Sequence, residues 1–227
     1  MELAEKRAGA DSINAIRAIV GDERIRTAKA DLYVYGFDAG MHCNIPDAVV
    51  RPRTAEEISQ ILKLANERNF AVVPRGAGTA LCGHAIPIAG GVVLDLQGMN
   101  RIKEINPGDL LCVAEPGVVC DDLNAALKKY RFFIPGPASS EAATIGGMAA
   151  TNASGDKALK YGAMRDYVLG MQAVMPTGEI VRFGTRTLKN ASGYQMEKLF
   201  IGMEGTLGII TEITLKMAPL PEKTAAC

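Results

Sequence analysis

Apolar residues at Ile58, Ile61, Leu62 and Ala65 fall on one helical face. The box Thr54-Ala-Glu-Glu57 ahead of them offers a hydroxyl and, three residues on, a carboxylate to the orphan amide donors of a first turn, which predicts a helix over 54–69. Phe70-Ala-Val-Val73 is a short apolar run that reads as a buried strand ending at Pro74, and Gly91 to Leu96 reads as another. Between them lies the small-residue stretch Arg75-Gly-Ala-Gly-Thr79. Upstream, Asp11 to Val20 reads as a short helix, while Asp31 to Asn44 is polar, contains glycine and shows no clear period. Downstream, Leu111 to Glu115 is expected to be a strand, Asp121 or Asp122 to cap a helix through Tyr130, and Ala142 to Thr151 to form a glycine-containing helix. Val168 to Met175, Glu179 to Phe183 and Thr206 to Met217 are strand-like, with Pro176-Thr-Gly178 as the hairpin turn between the first two. There is no internal repeat and no low-complexity tract.

Composition narrows the function classes. The 227 residues are 48% hydrophobic and 22% charged, which excludes a mainly disordered chain and allows one large or two small domains. Lys+Arg 25 balance Asp+Glu 25, so no bulk charge draws the chain to nucleic acid or to an anionic membrane surface. The apolar runs fall short of the ~18–20 residues of a membrane span. The amino end, MELAEKRAGAD, is charged where a signal peptide is apolar, and together these point to a cytoplasmic location with no membrane span. Five cysteines (Cys43, Cys82, Cys112, Cys120, Cys227) form an odd set without a C-x-x-C pair, the pattern of reduced thiols. With His42 and His84 the only histidines, no metal site is expected.

The 24 glycines need a backbone reason. Pro74-Arg-Gly-Ala-Gly-Thr-Ala-Leu-Cys-Gly83 follows an apolar strand directly, and its glycines let consecutive amides converge on an anion such as a diphosphate. The spacing of Gly76, Gly78 and Gly83 is neither the G-x-G-x-x-G of a dinucleotide turn nor a P-loop, and a tight structural loop is the alternative. A second cluster joins Pro135-Gly-Pro-Ala-Ser-Ser140, Ala143-Thr-Ile-Gly-Gly147 and Thr151-Asn-Ala-Ser-Gly155, with Tyr161-Gly162 beyond. Interior glycines cost ~0.5–1 kcal/mol each relative to alanine, so such density suits close backbone approach to a ligand. The Ser140, Thr144 and Asn152 side chains can bond a heterocycle edge and a pyrophosphate. Helix-to-sheet packing accounts for Gly146 and Gly147 but not for these polar groups.

Read in order with Lys160-Tyr-Gly162 and Gly205-Thr-Leu-Gly-Ile-Ile-Thr-Glu212, these motifs resemble the FAD-binding domain of the vanillyl-alcohol-oxidase or PCMH superfamily over residues 42 to 221. The resemblance is strongest to the branch of glycolate oxidase subunit GlcD and the D-lactate and D-2-hydroxyacid dehydrogenases. It implies an α+β fold of two small subdomains with FAD in the cleft between them: an N-terminal segment 1–41, a first subdomain 42–100 and a second 101–218. Residues 219–227 would begin a missing C-terminal cap, which makes the chain a fragment. By the same resemblance the FAD site is Pro74, Arg75, Gly76, Ala77, Gly78, Thr79, Ala80, Gly83 and His84, then Pro137, Ser140, Thr144, Ile145, Gly147, Asn152, Gly155, Tyr161 and Gly162, then Ile209 and Ile210. Thr79 stands where covalent flavoproteins of the wider superfamily often carry His, so the expected FAD is noncovalent.

The implied activity is oxidation of a small 2-hydroxy acid, with hydride passing to flavin N5 and electrons leaving to an acceptor protein or quinone. The catalytic base is expected in the absent cap, so no catalytic residue is assigned. Two alternatives stay open: a noncatalytic electron-transfer subunit of a multi-subunit oxidase, and a reductase resembling the UDP-N-acetylenolpyruvylglucosamine reductases. Lys157, Lys160 and Arg165 flank the flavin segment, where a cation near N1 would stabilise reduced flavin or simply be solvated. Glu56-Glu57 and Asp121-Asp122 open helices and are read as offsets to the macrodipole.

Overall fold

The computed structural model describes residues 5–223. Its first half comprises α1 (Ala10–Val20), β1 (Ile25–Arg26), α2 (Lys29–Val34), β2 (Ala48–Val50), α3 (Ala55–Arg68), β3 (Val72–Arg75) and β4 (Val92–Asp95). The strands lie in the order β1-β2-β4-β3, parallel except for β1 at the edge. Parallel neighbours need a long return, and α3 provides it between β2 and β3. Between β3 and β4 the return is residues 76–91, which have no strand or helix, so the glycine stretch starts at the carboxyl end of a strand where α/β sheets place their ligands. α3 buries Ala55, Ile58, Ile61, Leu62 and Ala65 against the sheet and stops at Asn69 in the left-handed conformation. Thr54 Oγ1 accepts from the Glu57 amide, as the box requires. The return arm differs: the Glu57 carboxylate accepts from the Arg53 amide and pairs with Arg24 Nη1, both at 2.8 Å.

The second half holds β5 (Ile102–Asn106), β6 (Leu111–Ala114), α4 (Cys120–Lys128), β7 (Phe132–Phe133), α5 (Ile145–Thr151), α6 (Ala158–Tyr161), β8 (Val168–Val174), β9 (Ile180–Gly184), β10 (Ile209–Lys216) and β11 (Ala218–Pro219). Five of these strands form an antiparallel sheet in the order β5-β6-β10-β8-β9, and β7 pairs with β11. β10 sits at the centre and every residue from Ile209 to Leu215 is buried. Its one carboxylate, Glu212, is gripped by Lys103 of β5 and Arg182 of β9 at 2.6 Å each. Burial pushes the Glu212 carboxyl up, but these two hydrogen-bonded cations outweigh it and leave the pKa below the ordinary value.

The two halves share a wall. Val174 and Ile209 of the antiparallel sheet belong to the same apolar cluster as Ile58, Ile61 and Val92 of the first half. Ser59 and Asn66 of α3 donate to the carbonyls of Gly178 and Pro176 in the β8–β9 turn. The α+β architecture of two small sheets with helices is therefore as expected, with local differences. α4 is capped by Val119, two residues ahead of Asp121, with no side-chain cap, so Asp121 and Asp122 sit in the first turn and offset the macrodipole rather than capping it. α5 begins at Ile145 because Thr144 is its cap, accepting from the Gly147 amide. The strand expected from Phe70 runs from Val72 to Arg75, and that expected from Thr206 starts at Ile209. β5 and α2 lie in stretches where no element was expected. Among the described residues, Cys43, Cys82, Cys112 and Cys120 are unpaired, no helix is long and apolar enough to cross a membrane, and no three His, Cys, Asp or Glu side chains converge as a metal site requires. Cys227 and the last part of the stretch 219–227 lie outside the described residues.

Candidate functional site

A cavity of about 480 Å³ lies between the two halves, within the size range of small-molecule and cofactor sites. The first half contributes Pro74, Arg75, Gly76, Ala77, Gly78, Thr79, Ala80 and His84. The second contributes Pro137, Thr144, Gly147, Ile209 and Ile210. These thirteen expected residues come from three separate stretches of sequence, and the fold brings them onto one surface.

The loop after β3 has the properties of an anion cradle. The backbone amides of Ala77, Gly78, Thr79, Ala80, Leu81 and Cys82 donate to no acceptor among the described residues, although Gly83 next to them donates to Asp38 Oδ2. These residues are half-buried to exposed, so the run of amides without a protein acceptor is open to an anion entering the cavity. Two glycines make the path possible. A Cβ on Gly76 would collide with Thr144 Oγ1 of the opposite half, and Gly78 has φ +71 with the Arg75 guanidinium in the place of its Cβ. Arg75 itself is buried, and desolvation holds its guanidinium below the usual arginine pKa. The remaining walls are largely apolar, with Leu96, Pro116, Met148, Ala150, Met203, Ile209 and Ile210, and carry the polar side chains of Ser139, Thr144, Thr151, Ser154 and Glu204. Such a surface accepts a flat heterocycle, while the loop accepts phosphate oxygens.

His84 and Glu204 face each other across the two halves, Nδ1 to Oε2 at 3.6 Å, too long for a hydrogen bond, and Nδ1 is buried without a partner. Cys82 lines the same cavity and is exposed. Cys112 and Cys120 sit in the core, where burial pushes both thiols up to about 12 and keeps them protonated.

Seven expected residues do not line the cavity. Gly83 braces the loop through Asp38; Ile145 is fully buried in the second core; Ser140 packs against Gly136. Asn152 ends α5 in the left-handed conformation and its Oδ1 accepts from the Arg165 amide. Gly155 approaches the Gly136 carbonyl, Tyr161 packs edge-on against Phe133, and Gly162 turns the chain beside Asp166. Lys157, Lys160 and Arg165 do not line the cavity either. Leu96, Pro116, Met203 and Glu204 line it without having been expected. Pro116 is betrayed only by the tight seat of Gly146 against it, a tertiary contact that no local pattern encodes.

The FAD binding domain family matches residues 46–184, more than half of the chain. The chain belongs to this family. Its cofactor is FAD, and the residues present fit it: unpaired amides and a buried cation for the diphosphate, apolar walls for the ring systems. Relatives of this FAD-binding chain include "Glycolate oxidase subunit GlcD" of Bacillus subtilis, 42% identical over 206 residues that make up 90% of this chain and 44% of that protein. "D-lactate dehydrogenase [cytochrome], mitochondrial" of Arabidopsis thaliana is 44% identical over 182 residues, 79% of this chain and 31% of that one. The chain thus spans less than half the length of these relatives. Two solved structures share the fold at a TM-score of 0.83: an alkyldihydroxyacetonephosphate synthase, at 24% identity over 98% of this chain and 43% of the other, and p-cresol methylhydroxylase, at 23% identity over 94% and 44%.

Proposed function

We propose that this FAD-dependent oxidoreductase domain is the flavin-holding part of an enzyme that oxidises a small 2-hydroxy acid such as glycolate or D-lactate and hands the electrons to an acceptor protein or quinone. The observation that supports this reading is identity above 40% to a glycolate oxidase subunit and a D-lactate dehydrogenase across most of the chain. FAD, when bound, supplies the two-electron acceptor that takes the hydride at N5. This chain's residues bind and orient it: the amides from Ala77 to Cys82 and Arg75 hold the diphosphate, while Met148, Ile209 and Ile210 exclude water from one side of the ring system. Among the described residues lining the cavity, the titratable side chains are Arg75, Cys82, His84 and Glu204. His84 Nδ1 and Glu204 Oε2 face each other at 3.6 Å, beyond hydrogen-bond reach, and among these groups Arg75 is the one arginine or lysine. The proton acceptor for the hydroxyl and the cation for the substrate carboxylate are therefore assigned outside this chain.

The test is a panel of D-lactate, L-lactate, glycolate and 2-hydroxyglutarate with a dye acceptor. It is run on the FAD-loaded chain and on a version extended in its natural reading frame. Turnover by the extended version alone is expected. Equal turnover by the 227-residue chain would place the base within it, at His84 or Glu204. No turnover of any 2-hydroxy acid by the extended version would sink the substrate class.

A further inference from the structure

The segment before the family match touches the cofactor loop. Arg75 is 8% exposed and lines the cavity, yet among the described residues no carboxylate forms an ion pair with it. Its hydrogen bond goes to a neutral acceptor, the Phe37 carbonyl, from Nη1 at 2.7 Å. The two carboxylates whose charge acts on it through space, Asp95 and Asp38, are bonded to other donors. Asp95 accepts from the Tyr35 hydroxyl at 2.7 Å, from Arg51 Nε at 3.0 Å and from the Gln97 amide at 3.0 Å. Asp38 accepts from the Gly40 and Gly83 amides at 2.7 and 2.8 Å. The guanidinium lies 5.5 Å from the Tyr35 ring centroid, and the ring is itself fixed by the bond to Asp95 and by one from Arg51 Nη2 at 2.8 Å. The guanidinium also packs against Gly78, whose amide is among the unpaired ones.

A buried guanidinium whose protein hydrogen bond goes to a neutral carbonyl, with Asp95 and Asp38 bonded to other donors and acting on it only through space, keeps N–H groups free to meet an anion in the cavity. We propose that Arg75 is the counter-charge of the flavin diphosphate, and that Tyr35 and Phe37, which precede residue 46, are the residues that position it. The inference rests on the FAD reading and deepens it. In a partly desolvated cavity one such charge acts more strongly on a dianion than it would in water. Tyr35 and Phe37 are positioning residues: the ring limits where the guanidinium can lie and the carbonyl sets its rotation. Ala39, whose amide donates to the Ala80 carbonyl at 2.9 Å, ties the same segment to the far end of the loop.

The experiment titrates FAD by quenching of its fluorescence from 20 to 500 mM KCl, using wild type, Arg75→Gln, Tyr35→Leu and Tyr35→Phe, each checked for folding by circular dichroism. Wild-type affinity should fall with salt. Arg75→Gln should bind at least 10-fold more weakly at low salt, with a shallower salt slope. Tyr35→Leu should move the same way by a smaller factor, and Tyr35→Phe, which keeps the ring, should stay within 2-fold of wild type. A general packing defect lowers affinity at every salt concentration without changing the slope. Slopes equal to wild type in Arg75→Gln and Tyr35→Leu would overturn the assignment. Should Arg75→Gln fail to fold, Tyr35→Leu against Tyr35→Phe decides alone. Absence of FAD binding by wild type would instead remove the FAD reading, and this inference with it.

Discussion

At the scale of single residues, Gly78 is the most exposed to test. Its φ of +71 disfavours a β-branched residue, and the place of its Cβ is taken by the Arg75 guanidinium. Gly78→Val would therefore strain the loop and push the cation off the diphosphate position in one step. FAD affinity should fall at least 10-fold, ~1.4 kcal/mol, while far-ultraviolet circular dichroism of the apoprotein stays unchanged. Affinity within 2-fold of wild type would show that the diphosphate lies elsewhere. This loop was legible in the sequence as a run of small residues directly after an apolar strand, a pattern that survives in one dimension. Glu204 and Met203 were not, since nothing local distinguishes an acidic residue at a cavity wall from one on the surface. Asn152 and Gly162, whose types suit a ligand, end α5 and turn the chain beside Asp166 in this fold, outside the cavity lining.

At the scale of elements, periodicity read the strongly patterned pieces and missed those held by tertiary context. α3 was legible because its cap and its apolar face agree. β5 was not, because a register shift between Ile102 and Glu104 breaks the two-residue alternation that betrays a strand. α2 is six residues long and has no side-chain cap, so little beyond its packing defines it. α1 tests how far the N-terminal segment is part of the fold. Its Ile16 and Val20 are buried in the same cluster as Ile58 and Ile61 of α3. Ile16→Ala removes a fully buried side chain and should cost about 2–5 kcal/mol in urea unfolding. A change under about 0.5 kcal/mol would mean that α1 is an appendage whose packing adds nothing to the stability of the first subdomain.

At the scale of the whole molecule, FAD in the cavity would add to the contacts by which the two halves already meet, such as Val174 and Ile209 against Ile58 and Ile61. The loop at 76–84 joins β3 to β4 in the first half, while Thr144 caps α5 and Ile209 and Ile210 open β10 in the second. Binding should therefore stabilise the two halves together. At FAD concentrations near 100 times Kd the linkage is about 2.7 kcal/mol, a rise of roughly 5–10 °C in Tm for a chain of this length. FMN lacks the adenosine and the second phosphate, so it engages fewer of the loop amides and should give a markedly smaller shift at the same concentration. Equal shifts would mean that the loop from Ala77 to Cys82 does not hold a diphosphate. The same sample tests the mode of attachment. Thr79 offers no nucleophile to the flavin, but Cys82 and His84 also line the cavity and are of the residue types able to carry one. If the cofactor is held by the amide cradle and the Arg75 charge alone, acid precipitation destroys both and all yellow colour should pass to the supernatant. A yellow pellet would place a covalent bond at Cys82 or His84, and peptide mapping of the flavin-bearing fragment would say which.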